Sequence, residues 1–156
     1  MNKDDQSRLH YRTHISQKLV DLIERNAEEL TSAWLEDVHK EVHLPTYRRF
    51  ENTELYERAF KVYSQLGKWI SRETSKEEIA RDYMALGAER KKEGFALAEV
   101  IQALILIRRN LWKKVMGEGL LDTTLDLYQA IELNNRVERF FDRAIYFTAV
   151  GFEKKD

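Results

Sequence analysis

Apolar residues recur every three or four positions from Ile15 through Leu19, Ile23, Ala27, Leu30 and Trp34 to Val38, the stripe of one amphipathic helix. The spacing predicts a long first helix from about Thr13 that stops before Pro45, because the proline ring lacks an amide hydrogen and restricts Leu44. A second helix is expected from Asn52 or Thr53, with Leu55, Ala59, Val62, Leu66 and Trp69 or Ile70 on one face. Ser75 followed by Glu78 has capping-box spacing and opens a third helix, with Ile79, Tyr83 and Leu86 facing inward. Arg90, Lys91 and Lys92 place positive charge on its negative end. Gly94 then suits a left-handed cap, with Phe95 as its hydrophobic partner. The fourth helix, about Ala96 to Met116, is apolar on several faces, as a central bundle member should be; Gly117 and Gly119 end it.

Asp122 is the expected cap of a last helix running to about Phe152, roughly 45 Å long at ~1.5 Å per residue. Its stripe is Tyr128, Ile131, Leu133, Val137, Phe140, Phe141, Ala144, Ile145, Thr148 and Phe152. The pattern predicts an all-α fold, about five helices in a bundle with long first and last members. Residues 1–12 would form a flexible N-terminus and 13–153 a single helical domain.

Composition narrows this further. One proline and six glycines in 156 residues leave little turn material, which favours long helices. Basic and acidic residues balance at 26 and 27, so no overall field attracts nucleic acid or an acidic membrane. The absence of cysteine excludes disulfides, thiol catalysis and cysteine-based metal sites. The polar start, Met1 to Arg8, lacks a signal-peptide core, and the longest apolar run, Ala103 to Ile107, is too short to span a bilayer. A cytoplasmic protein without membrane contact is expected.

Candidate chemistry is sparse. His10 and His14, and again His39 and His43, are four apart and would share a helical face. Each pair lacks a third strong ligand, and in one straight helix the pairs stand roughly 40 Å apart. Solvated histidines outweigh a metal site, so no metal is expected; His39 and His43 are the residual candidates. Glu99 sits where the helix dipole favours an anion. Arg108 and Arg109 interrupt an apolar helix, so at least one should approach the core and need a carboxylate (Glu99, Glu138 or Asp142) or a ligand anion. With Arg90 they form the most pointed charge set. Trp34, Trp69, Tyr83, Trp112, Phe140, Phe141 and Tyr146 could line a small-molecule pocket, although such spacing more often means core. The Gly94–Val100 segment mimics a turn-helix DNA reader, yet Ile101 to Ile107 is too apolar for a groove.

The chain resembles the N-terminal sensor domains of RsbRD-type RsbT co-antagonists, which also occur ahead of histidine kinases. The resemblance is carried by Trp34-Leu35, then Tyr83…Leu86-Gly87…Arg90…Gly94-Phe95…Leu97…Glu99-Val100. It continues in Leu106…Arg108-Arg109…Trp112 and ends in Val137…Phe140-Phe141…Ala144…Tyr146…Gly151-Phe152. It covers nearly the whole chain through helix-packing patterns rather than catalytic signatures. It implies a globin-like regulatory input module of bacterial stress signalling, often dimeric and coupled to output through its C-terminal helix. No histidine lies beyond position 43, so such a fold would lack a proximal haem ligand; no cofactor is expected.

The expected function is a non-catalytic sensor, with Tyr83, Arg90, Glu99, Arg108, Arg109, Trp112 and Tyr146 as candidate signal residues. Its partners would be a signalling protein or fused output domain, a small-molecule ligand and a second copy of itself. Phe140, Phe141, Ile145, Phe147 and Phe152 exceed what one bundle face absorbs, which places Phe147 or Phe152 in a homodimer interface. A metal-binding helical bundle and a ligand-free dimerisation or adaptor module are the alternatives. A lined internal cavity favours a sensor, and a filled core favours an adaptor.

Overall fold

A local hydrogen bond breaks the first of the two long helices that the apolar stripes predict. In a computed structural model, which describes residues 17–50 and 52–155, the side-chain amide of Asn26 donates to the Leu22 carbonyl at 2.7 Å. That carbonyl is where the Asn26 backbone amide would bond in a continuous helix; the amide turns instead to Ile23, three residues back. The expected long first helix is therefore two, α1 (17–25) and α2 (Ala27–Lys40). Gln65, with φ −119° and ψ 27°, divides the second into α4 (Asn52–Ser64) and α5 (Leu66–Ile70), although its amide keeps the bond to the Lys61 carbonyl four residues back. Between these pairs lies α3 (Pro45–Arg49), where Pro45 opens a short helix instead of ending a long one. At the first helical position its missing amide costs nothing and its fixed φ is suited to the turn.

Three helices complete the fold: α6 (Lys76–Lys92), α7 (Leu97–Gly117) and α8 (Thr124–Glu153). The described residues thus form eight helices and no strand, all-α as expected but not a five-helix bundle with a long first member. The helix α6 begins as its sequence predicts, with the Ser75 hydroxyl oxygen accepting from the Glu78 amide at 3.1 Å. At its end Gly94 has φ +90°, and the Phe95 and Gly94 amides return to the Arg90 and Lys91 carbonyls. This is a Schellman cap. The cap of α8 is Thr123 rather than Asp122, in a reciprocal pair with Asp126. The expected flexible segment 1–12, with Thr13 and Ile15, lies outside the described residues.

The helix α7 is central. Trp34 of α2 and Tyr63 of α4 are both buried and donate to the Ala103 and Ile107 carbonyls of α7 at 2.9 and 2.8 Å. Each polar tip is satisfied without giving up its ring's burial. The partner of α8 is α6. Tyr83 lies against Phe140, Gly87 against Thr148 and Phe152, and Lys91 reaches the Lys154 carbonyl, so contacts advance together along both helices. A Cβ on Gly87 would lie 2.0 Å from the Thr148 oxygen, and one on Gly151 2.1 Å from the Met84 oxygen. Only glycine permits this backbone approach.

The inward stripe of α8 holds from Leu133 to Thr148, but Tyr128 and Ile131, expected on it, are exposed. Gln129 and Ala130 are buried in their place. Among the described residues no helix is long and apolar enough to cross a membrane.

Candidate functional site

Arg90, whose carbonyl accepts the Schellman turn that ends α6, has its side chain turned inward. Among the described residues this is the buried arginine, 2% exposed, whereas Arg108 is half-buried and Arg109 exposed. The expectation that one of the latter pair enters the core is corrected: α7 turns its apolar faces inward and leaves both guanidinium groups at its edge. Arg90 donates to Glu93 at 2.7 Å, lies 3.7 Å from Glu54 and rests 5.5 Å from the Phe95 ring centre. It also faces the Tyr47 hydroxyl, whose ionisation burial pushes upward while the Arg90 charge pulls it down. Burial raises the Glu93 carboxyl as well, against the hydrogen bond and charge of Arg90, with Glu54 and Glu89 adding to the rise.

Glu99 is separately engaged. Its carboxylate accepts from the Ala96 amide at 3.1 Å and the Thr46 amide at 3.0 Å, clasping the start of α3 to the start of α7. Burial opposes its charge, but Thr46, Ala96 and the nearby Arg49 outweigh that and hold the carboxyl below its ordinary range. Glu99 therefore takes no part in pairing Arg108 or Arg109.

Of the expected signal residues, Tyr83 and Arg90 come together at one cavity. It lies among α2, α4, α6 and α7, with Trp34, Tyr47 and Leu104 also in its wall, and has a volume of about 30 Å³. That holds a water or two and no organic ligand. Trp112 lies elsewhere, half-buried, donating from Nε1 to Asn134. Tyr146 is exposed and its ring lies edge-to-face with that of Phe147. Phe147 and Phe152 are half-buried: Phe147 packs on the core beneath Lys76, and Phe152 meets α6 at Gly87. With Phe140 and Phe141 buried, the bundle absorbs most of the aromatic surplus that suggested an interface at those two residues.

Among the described residues the histidines supply no assembled site. The helix α2 ends at Lys40, so His39 and His43 no longer share a helical face; His10 and His14 lie outside the described residues. Among the described residues one acidic group is tight enough to suggest a cation: Glu54, Glu89 and Glu93, with carboxylate oxygens within 4.8 Å of one another. Arg90 faces two of these and Arg58 stands 3.9 Å from Glu89, so positive charge is already in place.

A larger concavity was missed from sequence. The turn after α5 and the middle of α8 enclose a cleft of about 340 Å³ with Trp69, Ile79 and Phe140 in its wall. Arg72, Arg136, Arg139 and Arg143 also line it, against one carboxylate, Glu132, which pairs with Arg136 at 3.0 Å. Part of the signal was present: positions 136, 139 and 143 fall on one face of a helix. Arg72 and Trp69 join them only through the fold. Compared with family models, curated proteins and solved structures, the chain matches none.

Proposed function

We propose that this chain is a non-catalytic regulatory domain of a bacterial stress-response or two-component pathway, akin to the sensor domains of RsbT co-antagonists. Binding of a ligand or partner alters the packing of α8, and α8 carries the change to an output in the cytoplasm. The observation behind the reading is the divided character of α8. Its second half is locked to α6 at Gly87 and Gly151, so neither helix moves there without the other. Its first half exposes Leu125, Leu127, Tyr128 and Ile131, each by about half, and the arginine cleft lies along its flank. The residues of the resemblance block also have definite duties in this structure. Gly87 allows the close approach, Arg90 is buried, Gly94 makes the cap and Phe95 fills the corner. A shared architecture would require these same residues.

The test is a fusion of the chain, through Glu153, to the catalytic core of a histidine kinase. A relay through a continuous helix makes kinase output depend on helical phase. A seven-residue insertion at the junction turns the output by about 700°, close to in phase, and a two-residue insertion by about 200°. Equal output from both fusions and from the kinase core alone would sink the relay.

A second copy of the chain is the partner we assign to the exposed apolar face of α8, because a two-fold contact lets one such face cover its equivalent. Sedimentation equilibrium at tens of micromolar should give a dimer that Ile131→Glu dissociates. A wild-type monomer removes the dimer. A dimer broken by Phe147→Glu but not by Ile131→Glu moves its interface to the other half of the helix.

A further inference from the structure

The chain is almost neutral overall, yet four arginines converge on the 340 Å³ cleft between the turn after α5 and the middle of α8. Elsewhere the buried Arg90 and the half-buried Arg58 come with counter-charges, whereas the half-buried Arg108 has none within 4 Å among the described residues. Arg90 has Glu93 and Glu54, and Arg58 has Asp82 and Glu89. In the cleft only Arg136 has one. Among the described residues Arg72, Arg139 and Arg143 have no carboxylate within 4 Å. Like charges on successive turns of one helix repel, so the arrangement raises the energy of the unliganded chain. An anion bound among them reverses the sign of that interaction.

The remaining wall is suited to an organic anion rather than to a bare ion. Trp69 and Phe140 stack at 5.5 Å and form an apolar side, while Ser71 and Asn135 bring a hydroxyl and an amide to the polar side. A second recess of about 180 Å³ shares Ser71, Arg72 and Arg136 and extends the groove towards Gln17. The main cleft alone falls within the size range of small-molecule sites. Planar guanidinium groups pair with phosphate through two parallel hydrogen bonds, a geometry that lysine cannot reproduce.

We propose that this cleft binds a small phosphorylated metabolite, its phosphate held among Arg72, Arg136, Arg139 and Arg143 and its organic part along Trp69 and the adjoining recess. The site is distinct from the Arg90 corner. It also stands apart from the regulatory reading, since binding and relay are measured separately.

The experiment is calorimetric titration of the full chain at physiological ionic strength with glucose 6-phosphate, adenosine monophosphate, inorganic phosphate and sulfate. At least one organic phosphate should bind saturably, one per chain, and more tightly than the two inorganic anions. Arg139→Gln and Arg143→Gln should each weaken it about tenfold or more, as loss of a charge-assisted hydrogen bond requires. The exposed Arg139 keeps the test clear of unfolding, and an unchanged melting temperature for its variant verifies this. Lys155→Gln, remote from the cleft, should leave binding unchanged. Absence of saturable binding by either organic phosphate at millimolar concentration overturns the proposal. So does binding no tighter than that of sulfate, or binding that both arginine variants retain in full. Binding without any phase-dependent change in the kinase fusion removes the relay and leaves the site standing.

Discussion

The two ends of the α6–α8 seam solve the same problem, arginine beside an apolar helix pair, in opposite ways. At the C-terminal end of α6 the backbones meet at Gly87 and Gly151, and Arg90 is enclosed with Glu93, Glu54 and Tyr47 around it. There is room for no more than a water or two, and the arginine's charge is met by carboxylates. At the N-terminal end, beside Ile79 and Phe140, the helices stand back from the turn after α5, and three arginines face a cleft without counter-charges. A guanidinium reads as structural or as ligand-seeking according to where its negative partner is. The closed end carries stability, and the open end is free to carry recognition.

The largest effect should come from forcing the closed end apart. Gly87→Ala sets a methyl group against the Thr148 carbonyl, and about 3 kcal/mol or more of stability should be lost, read from urea unfolding. A loss below about 1 kcal/mol would mean that the seam opens readily and that the two ends differ less than their geometry suggests. Arg90→Met comes next. It leaves Glu93 facing the interior without its partner and should cost about 3 kcal/mol, the lower end for a broken buried pair because Glu93 keeps some solvent contact. Arg139→Gln at the open end should change stability by no more than about 0.5 kcal/mol. Equal losses from these two arginine variants would abolish the contrast.

The smallest effects concern pH and set Glu99 against Glu93. The carboxyl of Glu99 is lowered by folding, so its contribution is present above the ordinary carboxylate range and is lost as pH falls through its folded value. That of Glu93 is raised, so its contribution is present below the ordinary range and is lost as pH rises through its folded value. Melting temperatures taken from acid to neutral pH should show Glu99→Gln worsening relative to wild type as pH rises. Glu93→Gln should improve relative to wild type over the same change. Parallel slopes would show that the two carboxyls sit in equivalent surroundings.

Where structure depends on a few neighbouring residues, the chain is readable without its fold. Ser75 before Glu78 marks the start of α6, and Gly94 before Phe95 marks its end, because each acts on backbone groups within one turn. The reciprocal pairing of Thr123 with Asp126 was equally local; reading Asp122 as the cap overlooked a threonine with a carboxylate three residues on. Periodicity did not reveal the breaks at Asn26 and Gln65, since the apolar residues keep their spacing of three and four across both.

Amino-acid order by itself determined that this protein is helical, which residues enter most of its core, and where α6 begins and ends. Those outcomes follow from side-chain spacing and from hydrogen bonds between near neighbours. Only the tertiary structure decided that Arg90 is enclosed while Arg108 and Arg109 are not, that Gly87 and Gly151 meet, and that Arg72 joins three arginines of α8. The fate of a charge depends on groups brought from other helices, as Glu54 of α4 is brought to Arg90 of α6, and no local pattern records that distance.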